Sequence, residues 1–171
     1  MALNWLKKWL LESAEKKIAA AAAAQGKATS IGIMLEDADS ESREAIYQYF
    51  EKKGVRRDEL VFLLYLKDKP VEAPDCLYYH QKEVKWAGYA FNDQIASFLA
   101  HRFKRLYYLC ANFDTHQQLI LKNCQASFKT GIYTKDVEPW LDLTIDDNPG
   151  DCLAQIVVID NWIEKISSHG K

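Results

Sequence analysis

Phe103 to Ile132 reads FKRLYYLCANFDTHQQLILKNCQASFKTGI. Leu106 to Ala111 is a short continuous apolar run, the pattern of a strand buried on both faces. Asp114 with Gln117 three residues later has the spacing of a capping box, so a helix is expected from there to near Gln125. Ser127 to Tyr133 then reads as a second short strand. A strand, a helix and a strand in immediate succession form the repeating unit of a parallel sheet.

The same alternation continues on both sides. Ser30 to Leu35 (SIGIML) and Glu59 to Leu66 (ELVFLLYL) are continuous apolar strands. Between them Asp39 or Ser40 caps a helix to about Lys53, with Glu41 and Glu44 in its first turn and Ile46, Tyr49 and Phe50 as its buried stripe. Lys67 to Asp75 carries two prolines and reads as a loop, and Cys76 to His80 as a short third strand. Asn92 caps a helix that buries Ile95, Phe98 and Leu99. Near the end, Leu141, Leu143 and Ile145 alternate with Asp142, Thr144 and Asp146, the pattern of a strand with one wet face near a sheet edge. Asn148 is expected to cap the last helix with Pro149 at its first position, and Ile156, Ile159, Ile163 and Ile166 to line its inner face. The fold class is therefore α/β: a single Rossmann-like three-layer domain with a mostly parallel sheet, over residues 29–171.

Residues 1–28 read as a helical arm. Trp5 to Gln25 is rich in helix formers and Gly26 ends it. Leu3, Leu6, Leu10, Ala14 and Ile18 fall near one face, widened by Trp5 and Trp9. Up to residue 29 there are five lysines against two glutamates, a net +3, which leaves −5 for the body out of the total of −2. A basic arm on an acidic body implies separate jobs. The arm suits docking on its own domain or on a protein partner, and its tryptophans and lysines also suit peripheral membrane contact. No apolar run reaches the ~20 residues of a membrane span and the start lacks a signal-peptide pattern, so the protein is expected in the cytoplasm. The acidic balance gives no expectation of nucleic-acid binding. Oligomeric state is not readable.

Chemistry in an open parallel sheet belongs beyond the C-terminal ends of the strands, at the point where strand order reverses. The candidate ligand-binding residues there are Glu36, Asp37 and Asp39 after the first strand, Asn112 and Asp114 after the Leu106 strand, and Asp146 and Asp147 after the last. If the first and fourth strands are neighbours, Asp37 and Asp114 approach each other. Clustered carboxylates of this kind can hold Mg²⁺, the one cofactor to consider. Yet Asp39 and Asp114 are also helix caps, a purely structural use. There is no G-x-G-x-x-G and no G-x-x-x-x-G-K-[ST], so a phosphate cradle is missing. No catalytic residue is assigned. Cys110 with His116 is too loose a pairing, and His116 reads as a surface residue. Cys76, Cys110, Cys124 and Cys152 have no metal-ligand spacing and read as reduced, packed thiols. Tyr78, Tyr79, Trp86, Tyr89 and Phe91 read as core and loop packing.

From Ser30 on, the chain resembles a small uncharacterised bacterial family, a domain of unknown function. The Leu106–Leu109 strand, the helix after it and the closing Ala126, Lys129 and Gly131 resemble the N-terminal Rossmann-like domain of heptosyltransferase-type glycosyltransferases. That resemblance implies the fold. Those enzymes carry a Gly-Asp pair soon after the first strand, where this chain reads Glu36-Asp37-Ala38-Asp39, and they bind nucleotide-sugar mainly in a second domain absent here. A phosphoacceptor receiver domain is a weaker likeness, since Asn112 stands where its aspartate is expected. The function expected is a non-catalytic binding or adaptor role. The alternative is a degenerate glycosyltransferase-like or Mg²⁺-dependent phosphate or nucleotide site at the strand ends.

Overall fold

The computed structural model of the chain describes residues 28–84 and 92–169. Seven strands form one sheet: β1 (Ala28–Glu36), β2 (Leu60–Leu66), β3 (Leu77–His80), β4 (Arg102–Tyr108), β5 (Gln125–Ala126), β6 (Lys129–Ile132) and β7 (Leu143–Ile145). The helices are α1 (Ser40–Lys52), the single turn α2 (Gln81–Val84), α3 (Asp93–Ala100), α4 (Thr115–Asn123) and α5 (Cys152–His169). The strand order is β3-β2-β1-β4-β6-β7 with β5 also on β4, and every pairing is parallel. β1 and β4 are thus neighbours, with Ile33 opposite Tyr107, and strand order reverses between them. Of the arm expected over residues 1–28, Ala28 already belongs to β1 and residues 1–27 lie outside the described residues, as do Trp86, Tyr89 and Phe91 of the aromatic group.

Period-2 alternation divides the core. Ile33, Leu35, Leu64 and Tyr107 point to one face, where they meet Ile46 and Phe50 of α1 and Ile156 and Ile159 of α5. Met34, Leu63, Leu106 and Tyr108 point to the other, against Ile95, Phe98 and Leu99 of α3 and Ile120 and Leu121 of α4. Helices on both faces explain why the central strands read as unbroken apolar runs. Gly131 has a steric reason to be glycine: a Cβ there would stand 2.4 Å from the backbone oxygen of Tyr108 on β4.

Three expectations shift. β4 starts at Arg102, in a polar stretch, where it pairs with Ala28 and Gln125 in the ladder and Arg102 Nε also donates to the Gln125 side-chain oxygen at 3.1 Å. The last helix begins at Cys152. Gly150, at φ +82°, breaks the helical path, and Asp151 caps the helix through Ala154 N–H at 2.9 Å. Asn148 instead closes the preceding turn, its Oδ1 accepting from Gly150 N–H at 2.9 Å. Further along α5, Ile156 and Ile159 are buried but Ile166 is 56% exposed, so the inner stripe stops short.

Candidate functional site

The crevice at the C-terminal ends of β1, β4, β6 and β7 has a volume of about 510 Å³. Glu36, Asp37 and Asp146 line it together with Tyr133, Thr134, Asn148 and Gln155, and Cys110 and Cys152 also contribute to its wall. Glu36 is the last residue of β1 and faces the end of β4. Its Oε2 accepts from the backbone N–H of Ala111 at 2.9 Å and of Asn112 at 3.2 Å, and its Oε1 from the Asn112 side-chain amide at 2.7 Å. One carboxylate therefore joins the two strands at the point of reversal. Asn112 is held from the other side as well, its carbonyl accepting from the Tyr108 hydroxyl.

Asp37 turns the chain out of β1 in the left-handed region, φ +48°. A short polar side chain tolerates that conformation better than a branched one. Its N–H donates to the Tyr65 carbonyl at 3.0 Å, and its Oδ1 accepts from Lys67 N–H at 3.3 Å. Asp39 caps α1 through Ser42 N–H at 2.7 Å. Hydrogen bonding from Ser42 holds its carboxyl below the usual carboxylate range. Asp114 caps α4, closing the capping box with Gln117, whose Oε1 accepts from Asp114 N–H at 2.8 Å. Asp146 and Asp147 follow β7 and are exposed; both line a neighbouring hollow with Trp162, and only Asp146 of the two also lines the crevice.

The sequence-predicted acids thus converge only in part. Glu36, Asp37 and Asp146 share the crevice, and Asn112 reaches it through Glu36. Asp39 and Asp114 sit at helix starts. Burial raises the Tyr65 hydroxyl pKa, and the charges of Asp114, Glu36 and Asp37 raise it further. Among the described residues no three of His, Cys, Asp and Glu stand where they could hold a metal ion.

His116 corrects its sequence reading. It is 7% exposed, wedged between Tyr65 and Tyr79 with ring centroids 5.0 and 5.6 Å away, and burial lowers its pKa. Cys110 is buried at the crevice floor, where burial and then the charge of Glu36 push its thiol well up, so it is a poor nucleophile. All four cysteines are unpaired. Tyr133 and Gln155 were missed by sequence. Tyr133 directly follows β6, so the strand-end rule reaches it once that strand is bounded; Gln155 required the true start of α5.

A second polar cluster lies toward the opposite end of the sheet. Asp160 of α5, 3% exposed, accepts from Tyr49 Oη and Lys53 Nζ at 2.9 Å each, from Arg105 at 3.1 Å, and from the Tyr107 hydroxyl. Buried charge is stable only when surrounded in this way. No sequence pattern announced it, because its members come from α1, β4 and α5.

Fold and crevice together define a parallel α/β domain with Rossmann-like strand order whose strand-end acids are largely engaged by its own backbone. The chain belongs to the family of unknown function DUF6913, whose model matches residues 3–157. No curated protein and no solved structure matches it. Among the described residues no helix is long and apolar enough to cross a membrane.

Proposed function

We propose that the chain is a non-catalytic binding module of the cytoplasm, an adaptor whose crevice receives basic side chains of a protein partner. The observation that carries this reading is the Glu36 carboxylate seated on the N–H groups of Ala111 and Asn112. In folds of this strand order the reversal point is where backbone N–H groups meet an anionic ligand such as a phosphate. Here an anion would have to displace Glu36 and then face Asp37 and Asp146. A cation meets the opposite situation: carboxylate acceptors on the rim and the 39% exposed ring of Tyr133, whose π face attracts ammonium and guanidinium groups. Two groups that could do chemistry near the crevice are poorly placed for it: Cys110 is held as a thiol and His116 is enclosed by aromatic rings. Four unpaired cysteines suit a reducing compartment.

The test is an NMR titration of the full chain with a short peptide rich in lysine and arginine. Signals of Tyr133, Thr134 and Asp146 should move saturably, and Asp146→Asn should weaken binding roughly three- to tenfold, the loss of one partly exposed ion pair. A peptide that moves none of these signals, or binds Asp146→Asn equally well, removes the reading.

A further inference from the structure

At the N-terminal ends of the strands a second hollow of about 680 Å³ opens between the end of α1 and the second half of α5. Its floor and walls include Ile31, Phe50, Val55, Phe128 and Ile163, with Ile166 at the rim. Ile166 is 56% exposed, and Trp162 one turn back, beside β7 with Lys165 Nζ 5.0 Å from its ring centroid, is 46% exposed, so α5 presents a partly open apolar strip. Lys53 pairs with Asp160 and Glu164, and Arg105 with Asp160, while the exposed Lys104 also lines the hollow. This leaves a mainly apolar surface whose buried polar groups are paired, suited to an apolar helix face.

We infer that this groove is the seat of the chain's own N-terminal segment, residues 1–27, packed as a third helix against α1 and α5. Three observations favour this occupant over a foreign one. The segment joins β1 at Ala28, which pairs with Arg102 at the same end of the sheet, and Ile31, on the groove wall, stands opposite Arg105. Ala28 to Ile31 spans only ~10 Å of strand, so the segment is delivered to the groove's mouth. Read as a helix, Trp5 to Gln25 would be ~30 Å long, enough to follow α5, with Leu6, Leu10, Trp5 and Trp9 falling along one side. The segment carries +3 and the body −5, so the two attract at long range. The family match also begins at residue 3, so it takes in segment and body together. This inference is independent of the ligand assigned to the crevice at the other end.

Limited trypsin digestion of the full chain tests it. Lys16 and Lys17 lie in the middle of the segment and are cleaved quickly unless the helix is held down. Cleavage there should be slow, at a rate independent of protein concentration. Ile166→Gln, a neutral change at an exposed helix position, should speed it about tenfold while leaving the far-UV circular dichroism unchanged, and Ile166→Leu should keep the protection. Fast cleavage in the wild type overturns the inference, as does an Ile166→Gln rate equal to wild type. Protection lost on dilution assigns the groove to a second copy. Protection appearing only with phosphatidylglycerol vesicles assigns the segment to a lipid surface. Either result also overturns docking within one chain.

Discussion

The two ends of this sheet handle carboxylates in opposite ways. At the C-terminal end, Glu36, Asp37 and Asp39 accept hydrogen bonds from backbone N–H groups close to solvent. At the other end a single buried carboxylate, Asp160, accepts from side chains, two phenols and two cations drawn from α1 with its C-cap Lys53 and from β4. An exposed acid on a backbone donor can be replaced by water with modest loss. A buried one held by cations cannot, because its removal takes the counter-ion from Arg105 and leaves Lys53 with the exposed Glu164 alone. The functional-looking end is therefore the tolerant one, and the unremarked end is structurally demanding.

The largest expected effect breaks the demanding end. Asp160→Ala should lower stability in urea melts by about 3 kcal/mol, the low end of the range for breaking a buried pair, because Lys53 and Arg105 are about one third exposed and can rehydrate. A loss under ~1 kcal/mol would mean that water already shares this cluster and that the contrast is false.

Glu36→Ala is the matching change at the tolerant end. It removes the acceptor of two backbone N–H groups and of the Asn112 amide, and should lower stability by about 1–2 kcal/mol. Loss equal to that of Asp160→Ala would erase the distinction between the two ends.

The smallest effect is expected at Asp37. Asn tolerates φ near +48° and removes one charge from an acidic rim, so Asp37→Asn should leave stability unchanged or raise it by about 0.5 kcal/mol in the same melts. Millimolar Mg²⁺ should add nothing to either protein. Strong stabilisation of the wild type by Mg²⁺, abolished in Asp37→Asn, would replace the adaptor reading with a metal-dependent site.

The layers were legible in sequence because helices on both faces force unbroken apolar strands, and because Asp39, Asn92 and Asp114 announce helix starts by residue type and spacing. The crevice was legible as a rim of acids, since strand ends can be placed from the apolar runs. What each acid does was not legible. Glu36 meets Ala111 and Asn112 across 75 and 76 residues of chain, and only the β1–β4 pairing brings them together. His116 looked exposed because a first-turn histidine has no periodicity to betray the Tyr65 and Tyr79 rings around it. Asn148 and Pro149 imitate a helix start, and the left-handed Gly150 two residues after Asn148 defeats them.

In the proposed reading Glu36 occupies the anion site of the strand reversal. The most direct measurement follows the backbone amides of Ala111 and Asn112 by NMR while a nucleotide-sugar is added to the wild-type chain with Mg²⁺. With Glu36 seated on both N–H groups, these two amides should stay unmoved up to millimolar ligand. Saturable shifts of both, reduced by Asp37→Asn, would contradict the account and make the crevice a nucleotide site.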